Sequence, residues 1–369
     1  MKLTDKFIRE FFSYKRPHAS DTEIQWIEKF IMPHLDNRAW ADEFGNIHFD
    51  NRHDASHRTL FVSHTDTVHR DAGIQKVTVT KDNMVRVRYP EHTNCLGADD
   101  GAGTLVLLAL IQANVPAYYI FTRAEEIGGQ GAKHLVEYHA ELLAQFDRAI
   151  AFDRKGTSSV ISHQGWGRCC SDTFADAFSD ALTDDVLMFA PDDTGVYTDT
   201  AEFVRLIPEC TNVSVGYVRE HTTDETLDLS HLRALIARVV QIDWEALPTE
   251  RDPAVDDEAD MLNMYKEWGN SGYFQNDIYD VDFTDYNSEV YDAFVNAMDG
   301  EVDALLYMMA EAINPMEPDD VYANIWDMPL PDRLISKYMR RVDYADDDAQ
   351  TRRVLVDLYQ DVVNENVFQ

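Results

Sequence analysis

Short apolar runs alternate with runs of helical length over the first 250 residues, and this alternation constrains the fold more than any other feature. Buried strands are expected at 60–63, 118–121, 148–152 and 213–215, and a solvent-facing strand pair at 77–88. Helices are expected at 24–35, behind a capping box of Ser20 and Glu23, and at 101–113, 130–144, 171–182 and 229–247. This order predicts an α/β fold with a mainly parallel or mixed sheet, covered by helices on both faces.

Length and charge limit the kinds of partner that this chain can bind. Its 369 residues are enough for two or three domains, and 45% of them are apolar, which is typical of a globular protein. The net charge is −35. A surface of this sign repels phosphate backbones and anionic lipid headgroups, so we expect no nucleic-acid partner and no membrane partner.

The negative charge is concentrated in the last third of the chain. Residues 251–369 contain 28 acidic and 8 basic residues, and 267–332 contain no Lys or Arg. This shift predicts two domains, 1–250 and 251–369. Apolar residues at helical spacing in 289–314 and 350–367 predict that the second is an acidic, mainly helical accessory domain. Two explanations of the acidity remain open: solvation in a high-salt cytoplasm, or an acidic face that repels or recruits a partner.

The sequence predicts a cytoplasmic protein. Its longest apolar run, 105–111, is far too short to cross a bilayer, and charges interrupt the apolar residues of the amino terminus, unlike in a signal peptide. The four cysteines show neither a disulfide framework nor a zinc-binding CxxC pattern. A P-loop, a dinucleotide fingerprint and a nucleophile elbow are also missing from the sequence.

Side chains that ligate metals lie in five short segments, most of which follow a predicted strand or open a helix. The segments are 64–66, 97–101, 124–129, 152–153 and 221–226. Each alone has a simpler explanation, such as a helix cap, a turn residue or a loop histidine. Together they supply nitrogen and oxygen donors without a thiolate, a set that suits Zn²⁺, Mn²⁺ or Co²⁺. Because ligands gather at the carboxyl ends of parallel strands, the sequence predicts a metal site there.

The same segments, in order, resemble the co-catalytic di-zinc exopeptidases, which include aminopeptidases, tripeptidases and related deacylases. The resemblance covers about residues 20–245 and is closest to the single-domain aminopeptidase branch, because only 67 residues separate Asp153 from His221. It is carried by VSHTDTV, LGADDGAG, FTRAEEIGGQGAKHL, AIAFD and REHTTDETLDLSHL.

The resemblance implies a site with two divalent metal ions, expected to be Zn²⁺, with Co²⁺ or Mn²⁺ as alternatives. The implied ligands are His64 and Asp153 for one ion, Glu126 and His221 for the other, and Asp99 as the bridge. Asp66 would orient the ring of His64. Glu125 would be the general base and acid, which takes a proton from the attacking water and returns it to the leaving amine. In this family the peptide bond that corresponds to Asp99–Asp100 is typically cis.

The function expected from the resemblance is metal-dependent hydrolysis of peptide bonds by an aminopeptidase. Two alternatives stay open: a deacylase or carboxypeptidase-type hydrolase of N-acyl amino acids or small amides, and a non-catalytic scaffold that acts through its acidic domain. The partner is then a peptide or small amide substrate. Family members often form larger oligomers, but the sequence defines no homo-oligomer interface.

Other residues are given lesser roles. Residues 197–203 are expected to line the substrate pocket near the last strand. His69, His92, His134 and His163 are expected to be structural or surface residues, because no carboxylate accompanies them at ligand spacing.

Overall fold

The computed structural model describes residues 2–164 and 167–254, together with a few isolated positions further along the chain. The chain divides into two compact units, Met1–Trp268 and Gly269–Gln369. In the second unit the described positions are all helical; they are Leu305, Leu306, Met308, Met309, Tyr338, Val354, Leu355 and Leu358. Apart from 251–254 and these positions, the predicted accessory domain, including most of 289–314 and 350–367, lies outside the described residues, and the boundary at residue 250 stays a prediction.

The α-helices of the first unit are α1 Asp5–Phe11, α2 Asp21–Trp26, α3 Ala98–Gln112, α4 Gln130–Tyr138, α5 Ala140–Leu143, α6 Asp172–Leu182 and α7 Leu229–Val239. A π-helical turn, Ile27–Ile31, extends α2. Single 3-10 turns are Met32–His34, Pro90–His92, Asp199–Ala201 and Trp244–Ala246. The Ser20 side chain caps α2 by accepting the backbone N–H of Glu23, as the capping box predicts. None of the described helices is both long and apolar enough to span a bilayer.

The strands lie in one large sheet and three small ones. They are β1 Tyr14–Lys15, β2 Ala39–Ala41, β3 Ile47–Asp50, β4 Thr59–His64, β5 Gly73–Ile74, β6 Val77–Val79, β7 Met84–Val87, β8 Tyr118–Thr122, β9 Arg148–Arg154, β10 Ser159–Ile161, β11 His163–Gln164, β12 Gly167–Arg168, β13 Ala190–Asp192, β14 Glu209–Ser214, β15 Tyr217–Val218 and β16 Thr226–Asp228. The large sheet has eight strands in the order β13-β10-β14-β9-β4-β8-β3-β2.

The large sheet is mixed, and its centre is parallel. Strand β4 runs parallel to both β8 and β9, and β9 runs parallel to β14. Antiparallel pairs join β10 to β14, β3 to β8 and β2 to β3. On β4, Phe61 packs in the same core cluster as α3, whereas Leu60 and Val62 pack in the cluster that contains residues of α4. Because alternate strand residues face opposite sides, helices cover both faces of the sheet, and the predicted fold class is confirmed.

The buried helix α3 has the acidic residues Asp99 and Asp100 in its first turn. All its residues but Gln112 are buried, which explains why its sequence is almost purely apolar after Asp100. At Gly103 a Cβ would lie 2.5 Å from the carbonyl oxygen of Phe152 in β9 and would clash with the Asp100 carboxylate. Glycine is therefore required where the helix passes closest to the strand.

Two predicted helices are shorter than their apolar patterns indicate. The helix expected at 130–144 is divided at His139, whose backbone leaves the helical region between α4 and α5. The helix expected at 229–247 ends at Val239. There the chain turns so that the carbonyl groups of Trp244 and Leu247 accept hydrogen bonds from the buried guanidinium of Arg148. Satisfying a buried cation outweighs the propensity of the segment to continue as a helix.

Candidate metal centre

Three neighbouring strands bring their ligand-type side chains to one edge of the large sheet. His64 is the last residue of β4, and Asp153 lies near the end of β9. Glu125 and Glu126 follow β8 directly. Because β4 is parallel to both neighbours, these side chains emerge on the same side of the molecule, as the sequence predicts.

The structure brings all five predicted metal ligands together in two groups that share Asp99. Within each group, one donor atom from every residue lies within 4.8 Å of the others; the groups are His64, Asp99 and Asp153, and Asp99, Glu126 and His221. The Oδ1 atom of Asp99 is 3.0 Å from Nε2 of His64, and its Oδ2 atom is 3.2 Å from Nε2 of His221. A third, overlapping group contains His64, Glu125 and Glu126. The Asp99–Asp100 peptide bond is cis.

The charges in this cluster fit divalent cations. The side chains of Asp99, Glu125, Glu126 and Asp153 are almost fully buried, and the Oε1 atom of Glu126 has no hydrogen-bond partner among the described residues. Burying carboxylates at this density is costly unless cations balance them. Two imidazoles and four carboxylates leave an excess of negative charge, which metal ions held by a nitrogen and oxygen donor set would neutralise.

The pKa values of the site report the same excess of negative charge. Burial, together with repulsion from Asp99, raises the pKa of Asp153 to about 7. Burial also raises the pKa of the Glu125 carboxyl well above its ordinary value. Hydrogen bonds to Asp99 and Glu126 raise the pKa of His221 to about 11. The raised pKa values of these groups mean that the site binds protons in place of the cations that its negative charge favours.

The Asp66 carboxylate accepts hydrogen bonds from the backbone of two adjacent glutamates, Glu125 and Glu126. Its Oδ1 and Oδ2 atoms accept the backbone N–H groups of Glu125, at 3.1 Å, and of Glu126, at 3.2 Å. The Nδ1 atom of His64 is 3.2 Å from the backbone oxygen of Asp66 and 3.6 Å from its carboxylate. The Asp66 carboxylate is therefore bonded to the glutamate turn, and its backbone oxygen is the group nearer to the His64 ring.

Glu225 supports the segment that carries Asp99, and motif reasoning did not single it out. This buried carboxylate accepts four consecutive backbone N–H groups: Oε2 accepts those of Leu96 and Gly97, and Oε1 accepts those of Ala98 and Asp99. The only indication in the sequence was that Glu225 lies in the segment 221–226, which also contains His221. Since Glu225 acts on the backbone, no side-chain spacing identifies it.

Asp153 is hydrogen-bonded by side chains from later in the chain, and these contacts were not predicted from the sequence. The Thr198 hydroxyl donates to Oδ2 of Asp153 at 2.7 Å, and the Tyr217 hydroxyl contacts its Oδ1 at 3.1 Å. The Asn212 side chain bonds the backbone N–H and carbonyl of Asp153. Thr198 belongs to the segment 197–203, which was expected to line the substrate pocket.

Asp199 adds a further buried carboxyl group beside the predicted general base. Its Oδ2 atom accepts a hydrogen bond from the Thr122 hydroxyl, while its Oδ1 atom has no partner within the described part of the chain. Burial raises the pKa of Asp199 to about 7. Its repulsion contributes to the raised pKa of Glu125.

The remaining histidines differ in their surroundings. His69 is buried and bonds Thr67 and the Cys95 carbonyl, whereas His92 is exposed, so both match the expectation. His163 lies in the short strand β11. His134 lies beside Asp42 and His139, and its expected structural or surface role stays a prediction. The carboxylate comes from a distant segment, which sequence spacing cannot reveal.

The first unit has an α/β fold similar to that of solved peptidase structures, and candidate metal-ligand groups lie at its strand ends. A tripeptidase from Staphylococcus aureus superimposes with a TM-score of 0.52 at 18% identity, over 64% of this chain and 95% of that one.

Two archaeal structures give the same result. An aminopeptidase from Desulfurococcus kamchatkensis gives a TM-score of 0.50 at 15% identity, over 68% of this chain and 95% of that one. A TET aminopeptidase from a marine-sediment Thaumarchaeota archaeon gives 0.50 at 11% identity, over 66% and 98%. No protein-family model and no curated protein sequence matches this chain.

Proposed function

We propose that this chain is a metal-dependent aminopeptidase that hydrolyses peptide bonds with Glu125 as the general base. The observation that carries the proposal is the sharing of Asp99 between two three-residue ligand groups, with Glu125 beside them. Two groups with a common carboxylate suit a pair of adjacent divalent ions.

In this proposal His64 and Asp153 would hold one ion, Glu126 and His221 would hold the other, and Asp99, which belongs to both ligand groups, would be shared between them. The imidazole and carboxylate donors favour Zn²⁺, with Co²⁺ or Mn²⁺ as alternatives. When bound, such ions polarise the peptide carbonyl and make water a stronger nucleophile.

We assign proton transfer during hydrolysis to Glu125. Its Oε2 atom is 3.9 Å from Nε2 of His64, so the carboxylate faces the cluster, and Asp66 fixes its backbone. Burial and the nearby carboxylates raise its pKa, so the carboxyl group holds a proton more readily than an exposed glutamate does. In the proposed mechanism Glu125 takes a proton from the attacking water and returns it to the leaving amine.

The charges around the cluster favour a substrate with a free amino terminus. Two divalent ions would balance Asp99, Glu125, Glu126 and Asp153, but Asp199 remains as a further buried carboxyl group beside Glu125 that attracts an ammonium group, whereas a carboxypeptidase needs a cation for the substrate carboxylate. The two basic residues that follow Asp153 are already paired: Arg154 bonds Thr194 and lies near Asp192, and Lys155 bonds Glu220. Electrostatics therefore support the aminopeptidase over the carboxypeptidase alternative.

Mass spectrometry of a defined peptide pool tests the proposal. The pool contains each peptide with a free and with an acetylated amino terminus, incubated with the Zn²⁺-, Co²⁺- or Mn²⁺-loaded chain. We expect sequential loss of amino-terminal residues from the free peptides alone. Deacetylation or trimming from the carboxyl terminus would replace the aminopeptidase assignment with the deacylase or carboxypeptidase alternative. An intact pool under every metal would contradict the proposed function.

A further inference from the structure

A second cluster of histidines and carboxylates, here called the His134 cluster, lies away from the candidate metal centre. It contains Asp42 and Glu43, from the turn between β2 and β3, with His134 in α4 and His139 just after it. Donor atoms of Asp42, His134 and His139 lie within 4.8 Å of one another. The Oε2 atom of Glu43 is 3.8 Å from Nε2 of His134 and 3.5 Å from Nε2 of His139. None of these residues belongs to the candidate metal centre.

Each imidazole of the His134 cluster has a buried ring nitrogen without a hydrogen-bond partner in the described part of the chain. The Nε2 atoms of His134 and His139 are both buried and have no hydrogen-bond partner among the residues that the structure describes. Their side chains are only 15% and 19% exposed. Buried ring nitrogens are normally hydrogen-bonded or bound to a metal, so two such atoms facing one carboxylate require an explanation.

Asp42 is a buried anion that lacks a permanent positive partner in the described structure. The backbone N–H groups of Phe44, Gly45 and Asn46 donate to its Oδ1 atom, and the Asn46 side chain donates to Oδ2. The remaining contact is with His48, at 3.3 Å, and burial lowers the pKa of that imidazole. Although burial opposes it, hydrogen bonds from His48 and Asn46 lower the pKa of Asp42 to about 2, so the carboxylate is ionised and presents a negative charge beside the two imidazoles.

We propose that Asp42, Glu43, His134 and His139 bind a divalent metal ion of the zinc class at a site separate from the candidate metal centre. Two imidazole nitrogens and two carboxylates form a four-ligand set that suits Zn²⁺, and the carboxylates balance its charge. Ligand atoms around tetrahedral zinc are about 3.3 Å apart, so the observed separations close by modest side-chain movement. Glu43 is 80% exposed and adjusts easily. The ion joins the β2–β3 turn to α4 and stabilises that edge of the sheet.

Metal analysis of the full-length chain tests the proposal by the number of bound ions. The wild type, the double variant His134→Ala/His139→Ala and the control His92→Ala are dialysed against Zn²⁺ and analysed by plasma mass spectrometry. His92 is an exposed histidine outside every candidate group. We expect the double variant to lose one equivalent of zinc and the control to lose none. Equal zinc in all three proteins would overturn the proposal.

A variant at the candidate metal centre separates the two sites. Asp99→Asn is expected to lower zinc binding at the centre while one equivalent remains, and that remaining equivalent is lost when the His134 cluster is also mutated. Failure of peptide hydrolysis would leave this result unaffected.

Histidine footprinting of the wild type gives an answer that does not depend on the folding of variants. Diethyl pyrocarbonate modifies imidazole nitrogens that are not bound to a metal. Peptide mapping with and without Zn²⁺ is expected to show protection of His134 and His139 by zinc, with unchanged modification of His92. Because both Nε2 atoms are buried, the reagent concentration and time are set so that both cluster histidines are modified in the metal-free chain; equal modification of them with zinc present would then refute the site.

Discussion

Replacing Glu225 by Gln is expected to weaken both the fold and metal binding at the candidate centre. The carboxylate of Glu225 accepts the backbone N–H groups of four consecutive residues, at 2.6 to 3.3 Å, immediately before the cis peptide bond of Asp99. Gln has the same shape but only one accepting oxygen. Its NH₂ group necessarily faces two of the four N–H donors.

The size of the effect follows from those contacts. Two buried N–H groups lose their acceptor, and each costs about 1 to 3 kcal/mol, so the free energy of unfolding falls by about 2 to 6 kcal/mol. The affected segment also places Asp99, which touches both imidazole ligands. Loss of a group that orients a ligand typically weakens metal affinity or activity about 10- to 100-fold. We expect a decrease of this order in zinc affinity.

Urea unfolding of the metal-free chain and competitive zinc titration measure the two effects separately. Glu91→Gln is the matched control, since Glu91 is exposed and its carboxylate lies 3.7 Å from the exposed ring of His92. The control is expected to behave like the wild type in both assays. If Glu225→Gln retains wild-type stability and zinc affinity, the four hydrogen bonds do not position Asp99, and the reasoning is refuted.

Three further predictions concern pH, packing and metal. Burial lowers the pKa of His69 to about 3. Below pH 6.5 this histidine is therefore protonated in the unfolded chain but not in the folded chain, and the free energy of unfolding falls by about 2 kcal/mol between pH 8 and pH 5. His69→Gln should remove this part of the pH dependence of urea unfolding. Gly103→Ala should destabilise the fold by about 1 to 3 kcal/mol or more, whereas Gly167→Ala, with open space around its Cβ, should change urea unfolding little. Zn²⁺ at a thousandfold excess over its Kd should stabilise the chain by about 4 kcal/mol per site in thermal unfolding, and a chelator should reverse this; a melting temperature unmoved by zinc would contradict metal binding.

The strands that build the site were predicted correctly because each is marked by its own run of apolar residues. Apolar runs such as 60–63 and 118–121 can be buried only as central strands of a covered sheet, and ligand-type side chains follow them directly. Parallel pairing then forces those side chains to one edge, so the meeting of His64 with Asp153 followed from topology.

Elements that depend on distant contacts were less well predicted. The end of α7 at Val239 depends on Arg148, whose buried guanidinium binds backbone carbonyls beyond the helix. The pattern of apolar residues in 229–247 does not contain that information. The division between α4 and α5 at His139 was missed in the same way.

Sequence motifs did not identify the residues that support the site, for a related reason. Glu225 binds backbone N–H groups, and Tyr217 reaches Asp153 from another sheet, so neither has a fixed spacing from its partner. The His134 cluster combines two segments that are far apart in the chain. Spacing identifies a ligand set only when its members lie on one element or on neighbouring strand ends.

The rate of peptide hydrolysis by Glu125→Gln, measured together with its metal content, tests the central claim most directly. The amide that replaces the carboxylate keeps the shape of the side chain but cannot accept and return a proton. We predict a loss of about 10²- to 10⁴-fold in kcat on a peptide with a free amino terminus, with as many metal ions bound as in the wild type. Hydrolysis at the wild-type rate by the fully metal-loaded variant would contradict the assignment of Glu125 as the general base.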